Sequence, residues 1–235
     1  MDEQRSARSR RRARSVEAAA IAGIAYSLLS LFALLQLNRF PRLSLSDEEL
    51  TAWFDDGGNR ALLIAALGAS SVASIAFLWF IAVIRRRIGD HEDQFFATVF
   101  LGSGIVNVAI SLIAASAVAS PAIATTVLDA SAVSASSASL AGGLGAALLL
   151  VVAPRMQAVF IFSTSTVILR SRVLPSWVAV AGYVLGLVMF IVPIVWRSFG
   201  VAFPIWVFAV SVVLLIIKPS QLEIDRPVDR VSESD

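Results

Sequence analysis

The sequence predicts an all-α, polytopic membrane protein. The expected architecture is a bundle of six transmembrane helices, both termini in the cytoplasm, with a short amphipathic helix in the first outer loop. Three observations carry this. The 235 residues are 57% hydrophobic and only 15% charged, against about 25% charged in an ordinary soluble domain. The charges gather at the two ends and in short loops, and long apolar runs lie between them. Each run has roughly the 17–25 residues that a hydrocarbon core requires.

The six runs fall at about residues 16–37, 61–84, 95–118, 147–169, 176–196 and 201–218. They divide the chain into an Arg-rich cytoplasmic tail (1–15), a six-span membrane domain (16–218) and a charged cytoplasmic C-terminal tail (219–235). The first stretch, MDEQRSARSRRRARS, holds six arginines and no apolar run. It reads as a disordered tail that fixes topology, and its charge also suits anionic lipid headgroups. The apolar run behind it is too long for the core of a secretion signal and ends in Asn38-Arg39-Phe40, without a small-residue cleavage site. Excluding Arg155, fourteen cationic residues lie on one side of the expected spans and four on the other. The richer side is cytoplasmic by the positive-inside rule.

Within the first outer loop, SDEELTAWFDDGGN opens with Ser46 and Glu49 at capping-box spacing. Leu50, Trp53 and Phe54 share one face of the helix this predicts, and Gly57 and Gly58 are expected to stop it. The Ala- and Ser-rich stretch from about 120 to 140 is compatible with either loop or helix. Stripes of small residues at spacing four are expected to face neighbouring helices: Ala61, Ala65, Ala69 and Ala73, then Ser103, Asn107, Ser111 and Ala115. Gly182 and Gly186 belong to the same class. Pro193 and Pro204 sit in the last pair of spans, which a tight connection at 197–200 is expected to make a helical hairpin.

The sharpest local feature is Pro154-Arg155-Met156-Gln157, set inside an apolar run. Counted back from Arg170 at 1.5 Å per residue, Arg155 lies about 22 Å from the cytoplasmic end of its span. It therefore sits in the outer third of the bilayer, where its side chain, tilted toward the helix N-terminus, can reach headgroups or water. Two readings follow. In one, Arg155 satisfies a carbonyl near Leu150 that Pro154 leaves without a donor. In the other, Arg155, Gln157 and Asn107 line an outward-open binding site for a polar or anionic ligand, with Asp129, Asp55 or Asp56 as partners on the same side. The run Ser163–Thr166 is expected to bond its own helix backbone.

Other chemistry is poorly provided for. There is no cysteine and one histidine, His91, so thiolate metal sites, disulfides and most histidine-based catalysis are excluded. DHED at 90–93 reads as a mixed-charge solvated loop beside three arginines. No catalytic residue, metal or cofactor is expected, and a net charge of +2 gives no reason to expect nucleic acid. The expected partners are the lipid bilayer, including anionic lipids at the Arg-rich tail, and further copies of the chain.

Three stretches, AAIAGIAYSLL (19–29), GGNRALLIAALGASSV (57–72) and VILRSRVLPSWVAVAGYVLGL (167–187), together resemble a large family of uncharacterised bacterial integral membrane proteins, catalogued as a domain of unknown function. Its soft motifs are Ala-Gly-x-x-Tyr in the first helix, Asn-Arg entering the second, and a basic turn with Leu-Pro before the fifth. The resemblance implies a six-helix bundle and assigns no activity; the expected location is the bacterial inner membrane. Two functions are expected in turn: a structural or accessory membrane protein acting through partners or lipids, or a small transporter or channel with its site near Arg155.

Overall fold

A segment surrounded by hydrocarbon must satisfy its own backbone, and a helix does so within one stretch of chain. The computed structural model describes residues 2–41, 46–88, 94–128, 133–171, 174–191 and 200–216, with side chains for all of these but 2–16, 86–88, 94–96 and 171. Among the described residues the regular structure is helical throughout: α1 (Asp2–Leu37), α2 (Asp47–Asp55), α3 (Gly57–Ile88), α4 (Gln94–Thr126), α5 (Ala135–Ala147), a π-helical turn (Leu148–Val152), α6 (Ala153–Ser171), α7 (Ser176–Ile191) and α8 (Ala202–Ile216).

Among the described residues, four stretches are long and apolar enough to cross a bilayer: Glu17–Leu37, Gly57–Arg85, Ala97–Thr126 and Ala135–Arg170. The last joins α5, the π-turn and α6 into one rod of 36 residues, about 54 Å long. The expected fifth and sixth spans appear as shorter apolar helices, Ser176–Ile191 and Ala202–Ile216; residues 192–199 and 217–235 lie outside the described residues, and with them Pro193 and the C-terminal tail.

Several expected boundaries move. The third span runs on to Thr126 and the fourth rod starts at Ala135, so most of the stretch from 120 to 140 is helix. Alanine carries it, and Ser134 starts α5 by accepting the Ser137 N–H. The Arg-rich segment is helical from Asp2, continuous with the first span. The α2 capping box forms as expected, with Ser46 N–H donating to Glu49 and Glu49 N–H to Ser46 Oγ. Leu50 and Phe54 are buried, and the five carboxylates of α2 and its end are exposed. Gly57 and Gly58 do not stop α2, however; they begin α3, whose Gly58 N–H is held by the Asp56 carboxylate at 2.7 Å. Pro204 occupies the first turn of α8, where no intrahelical donor is required, so it does not break the helix.

The helices pack in series: α8 lies against α1, α1 against α3, α3 against α4, α4 against α6, and α6 against α7. α7 and α8 thus lean chiefly on different neighbours instead of on each other. Two hydrophobic clusters fill the assembly. The larger one is aromatic, with Phe77, Phe80, Phe100, Phe160 and Phe203 fully buried. The Phe77 ring centre lies 4.6 Å from Tyr26, 5.1 Å from Phe160, 5.7 Å from Phe203 and 6.1 Å from Phe80. The smaller cluster joins the ends of α1, α3 and α4 to α2 and α5 through Leu37, Phe40, Leu50, Phe54, Leu63 and Ala138, among others. It caps one end of α3 and α4, which at 32 and 33 residues are longer than a bilayer core about 30 Å thick requires.

The small-residue stripes are used unevenly. Ser103, Asn107 and Ala115 are buried, as are Gly182 and Gly186. On α3 only Ala73 is buried, whereas Ala61 and Ala65 are exposed; strict spacing of four drifts around a helix with 3.6 residues per turn. Close approach is required elsewhere. A methyl group on Gly23 would collide with Ser211 Oγ and lie 2.8 Å from the Phe80 ring, whereas one on Gly102 meets nothing within 4 Å. Gly23→Ala is therefore expected to lower stability by about 1–3 kcal/mol through overpacking. Gly102→Ala is expected to be neutral or to add up to about 1 kcal/mol from helix propensity. Thermal unfolding of both variants in mild detergent checks this; equal midpoints would contradict the close approach of α1, α3 and α8.

Candidate functional site

Arg155 sits just behind the π-turn. Pro154 has no N–H to give to the preceding turn. The ladder widens there, and the Ala153 N–H donates to the Leu148 carbonyl five residues back. Arg155 then folds back on its own helix, and its Nη1 donates to the Val151 carbonyl. Val151 and Val152 are 49% and 39% exposed, so this turn faces outward from the bundle. Where the surroundings are hydrocarbon, an uncompensated backbone group costs several kcal/mol. The guanidinium adds a side-chain donor in the same turn from which the proline removes a backbone one. The carbonyl reached is that of Val151, one residue beyond the expected Leu150.

Gln157 and Asn107 are both buried, at 8% and 1% exposure. They stand on packed helices, α6 and α4. The register follows from two glycines: a methyl on Gly104 would lie 3.2 Å from the Phe160 ring, and one on Gly145 would lie 3.3 Å from the Ala114 carbonyl. This antiparallel register brings Asn107 level with Gln157. Asn107 nevertheless turns toward α1, where its side chain and that of Ser30 reach the Tyr26 hydroxyl. Asn107 Oδ1 is buried without a hydrogen-bond partner. The Gln157 side chain bonds to no other described residue.

The three residues therefore do not converge on one cavity. Arg155 is engaged by its own helix at the bundle surface, and the two amides lie inside. Of the carboxylates expected to partner Arg155, Asp56 accepts the Gly58 N–H and Asp55 is exposed on α2; Asp129 lies outside the described residues, as does DHED at 90–93.

The hydroxyl run divides in a way the residues alone do not reveal. Ser163, Thr164 and Thr166 donate to the carbonyls four residues back, at 2.9, 2.8 and 2.9 Å. Thr166 also meets the Tyr183 hydroxyl at 2.7 Å, which ties α6 to α7. Ser165 is the exception. Its Oγ is buried without a partner, and so is Trp206 Nε1. Both face Gly182: a methyl there would collide with Ser165 Oγ and lie 3.4 Å from Trp206 Nε1. The indole N–H is a donor and the hydroxyl a donor and acceptor, so the two are chemically complementary although they form no bond. The sequence signals for this place were Gly182, read as a packing residue, and the hydroxyl run, in which Ser165 was expected to bond its own backbone and does not.

Two outcomes are expected from mutation. Arg155→Leu removes a charged hydrogen bond to the backbone and is expected to lower stability by about 1.5–3 kcal/mol, with Arg155→Lys retaining part of it; unfolding midpoints equal to wild type would remove the carbonyl-capping role. Tyr26→Phe and Asn107→Leu are expected to couple by about 0.6 kcal/mol in a double-mutant cycle, the average for polar pairs between membrane helices. Strictly additive effects would mean that the two side chains do not meet.

No family model matches the chain, and no curated protein or solved structure matches it either.

Proposed function

We propose that the protein is a six-span protein of a bacterial inner membrane, both termini cytoplasmic, that serves as a structural or accessory component through partners or lipids. The observation that carries this is the filled interior: five fully buried phenylalanines and Tyr26 occupy the space where a solute path between the helices would run. Arg155 supports it, because its guanidinium is spent on the Val151 carbonyl. Support for the orientation comes from the cationic bias, which leaves the cap of α2 and the adjoining helix ends on the arginine-poor side. The apolar character of α7 and α8 supports six spans instead of four. The soft motifs around Gly23, Asn59 and Leu174 support kinship with the six-helix family they resemble.

A second reading, a small transporter or channel with a polar or anionic ligand near Arg155, is favoured by one observation. Asn107 Oδ1 is buried without a partner, and Gln157 stands level with it on the facing helix. A rearrangement that admitted water there would present two amides to a ligand.

The readings separate in reconstituted vesicles. The scaffold reading expects fluxes of chloride, inorganic phosphate and glutamate equal to those of protein-free vesicles, and no change with Arg155→Leu. Saturable flux that Arg155→Leu abolishes would establish the second reading instead. Orientation is testable in the cysteine-free chain. An impermeant maleimide applied to spheroplasts is expected to label a cysteine at position 48 and to spare one at position 88; the reverse pattern would invert the topology.

A further inference from the structure

A furrow of about 470 Å³ runs between α3 and α4, lined by Leu78, Ile81, Ala82, Arg85, Leu101 and Ile105. Its volume lies in the range of small-molecule sites, yet its chemistry is lopsided. Five of its six lining residues are aliphatic, and the single charge stands at one end. Ile81 is buried and forms the floor, packed against Gly104 of α4. Leu78 and Ile105, 38% and 48% exposed, form the lips. Ala82 keeps the furrow open because its side chain is too short to fill it. Arg85 is exposed, and it is also the last residue of the apolar stretch Gly57–Arg85. From Arg85 to Leu78 the furrow runs seven residues along α3, about 10 Å, or roughly two thirds of one leaflet of a bilayer core.

We infer that this furrow seats one acyl chain of an anionic phospholipid, with the lipid phosphate on Arg85. The charge pattern selects the occupant. A phospholipid has the same polarity as the furrow, anionic at the level where the span ends and aliphatic beneath it. A guanidinium offers a fork of donors to phosphate oxygens. An apolar helix from another protein would leave the cation at the furrow's edge without a counter-charge. The inference rests on the proposed membrane placement for one thing only, that α3 ends near a headgroup layer; it holds for either orientation.

The test uses the full chain in nanodiscs of phosphatidylcholine containing a minor fraction of phosphatidylglycerol, followed by native mass spectrometry of the lipids that stay bound. Wild type is expected to retain phosphatidylglycerol in preference to phosphatidylcholine. Arg85→Gln is expected to cut that preference about fivefold, the effect of one arginine near an anionic surface, and Arg85→Lys to restore most of it. Ala82→Phe fills the furrow and is expected to reduce retention of both lipids; Ala82→Leu serves if the larger side chain is not tolerated. Preference unchanged in Arg85→Gln would overturn the inference. So would retention unchanged in both Ala82 variants, since the charge would then act without the furrow. A chain that does not enter nanodiscs at all would instead sink the membrane placement on which the proposed function stands.

Discussion

The packing of aromatic rings around Phe77 is the interaction on which the rest of the bundle depends. Lipid tails are as apolar as leucine, so burying a phenylalanine among helices gains little from the hydrophobic effect inside a bilayer. Association must come from close van der Waals packing and from polar groups that find partners. Phe77 stands against four rings contributed by α1, α3, α6 and α8. Each such pair adds about 0.5–1.5 kcal/mol beyond its burial. Because these rings reach one another across the bundle, the surrounding helices are fixed in distance, and glycine is required where they come closest, as at Gly23 beside Phe80 and Ser211.

The filled interior also decides where polar groups sit. Tyr26 and Asn107 are held at the edge of the aromatic cluster and answer one another there. Ser165 and Trp206 are left facing Gly182 with unmet hydrogen-bonding capacity. Arg155 has no place inside and lies on the outward side of its rod, where the proline and the π-turn create a need for a donor. A polar residue in an apolar run is thereby explained by helix geometry before any ligand is invoked. The cap formed by α2 and the helix ends applies the same logic at the bundle's margin. Segments longer than a bilayer's core bury Leu50 and Phe54 against each other's apolar faces and turn their carboxylates outward.

Much of this was legible in the residues. Hydropathy located the long helices, and Ser46 with Glu49 located α2, because spacing along one helix is a local property. Boundaries at Thr126 and Ala135 were less legible, since an Ala- and Ser-rich stretch has helical propensity without an apolar edge to mark where it begins. The α3 alanine stripe misled because a spacing of four does not stay on one face of a long helix. The meeting of Ser165 and Trp206 at Gly182, and the turn of Asn107 toward Tyr26, depend on which helices become neighbours. That choice is made by ring packing between distant segments, and no local pattern records it. Arg155 lay between these cases: its neighbouring proline announced a backbone need in that turn, but the guanidinium bonds to Val151, one residue beyond the expected carbonyl.

Ring packing of this kind requires the level of Asn107 and Gln157 to be dry and closed. Single cysteines at these two positions, placed in the cysteine-free chain and probed in membranes with a water-soluble thiol reagent from each side, test it most directly. Neither Asn107→Cys nor Gln157→Cys is expected to react from either side until the protein is unfolded. Rapid reaction of either one from one side of the folded protein would contradict it and reveal a hydrated pocket among the rings.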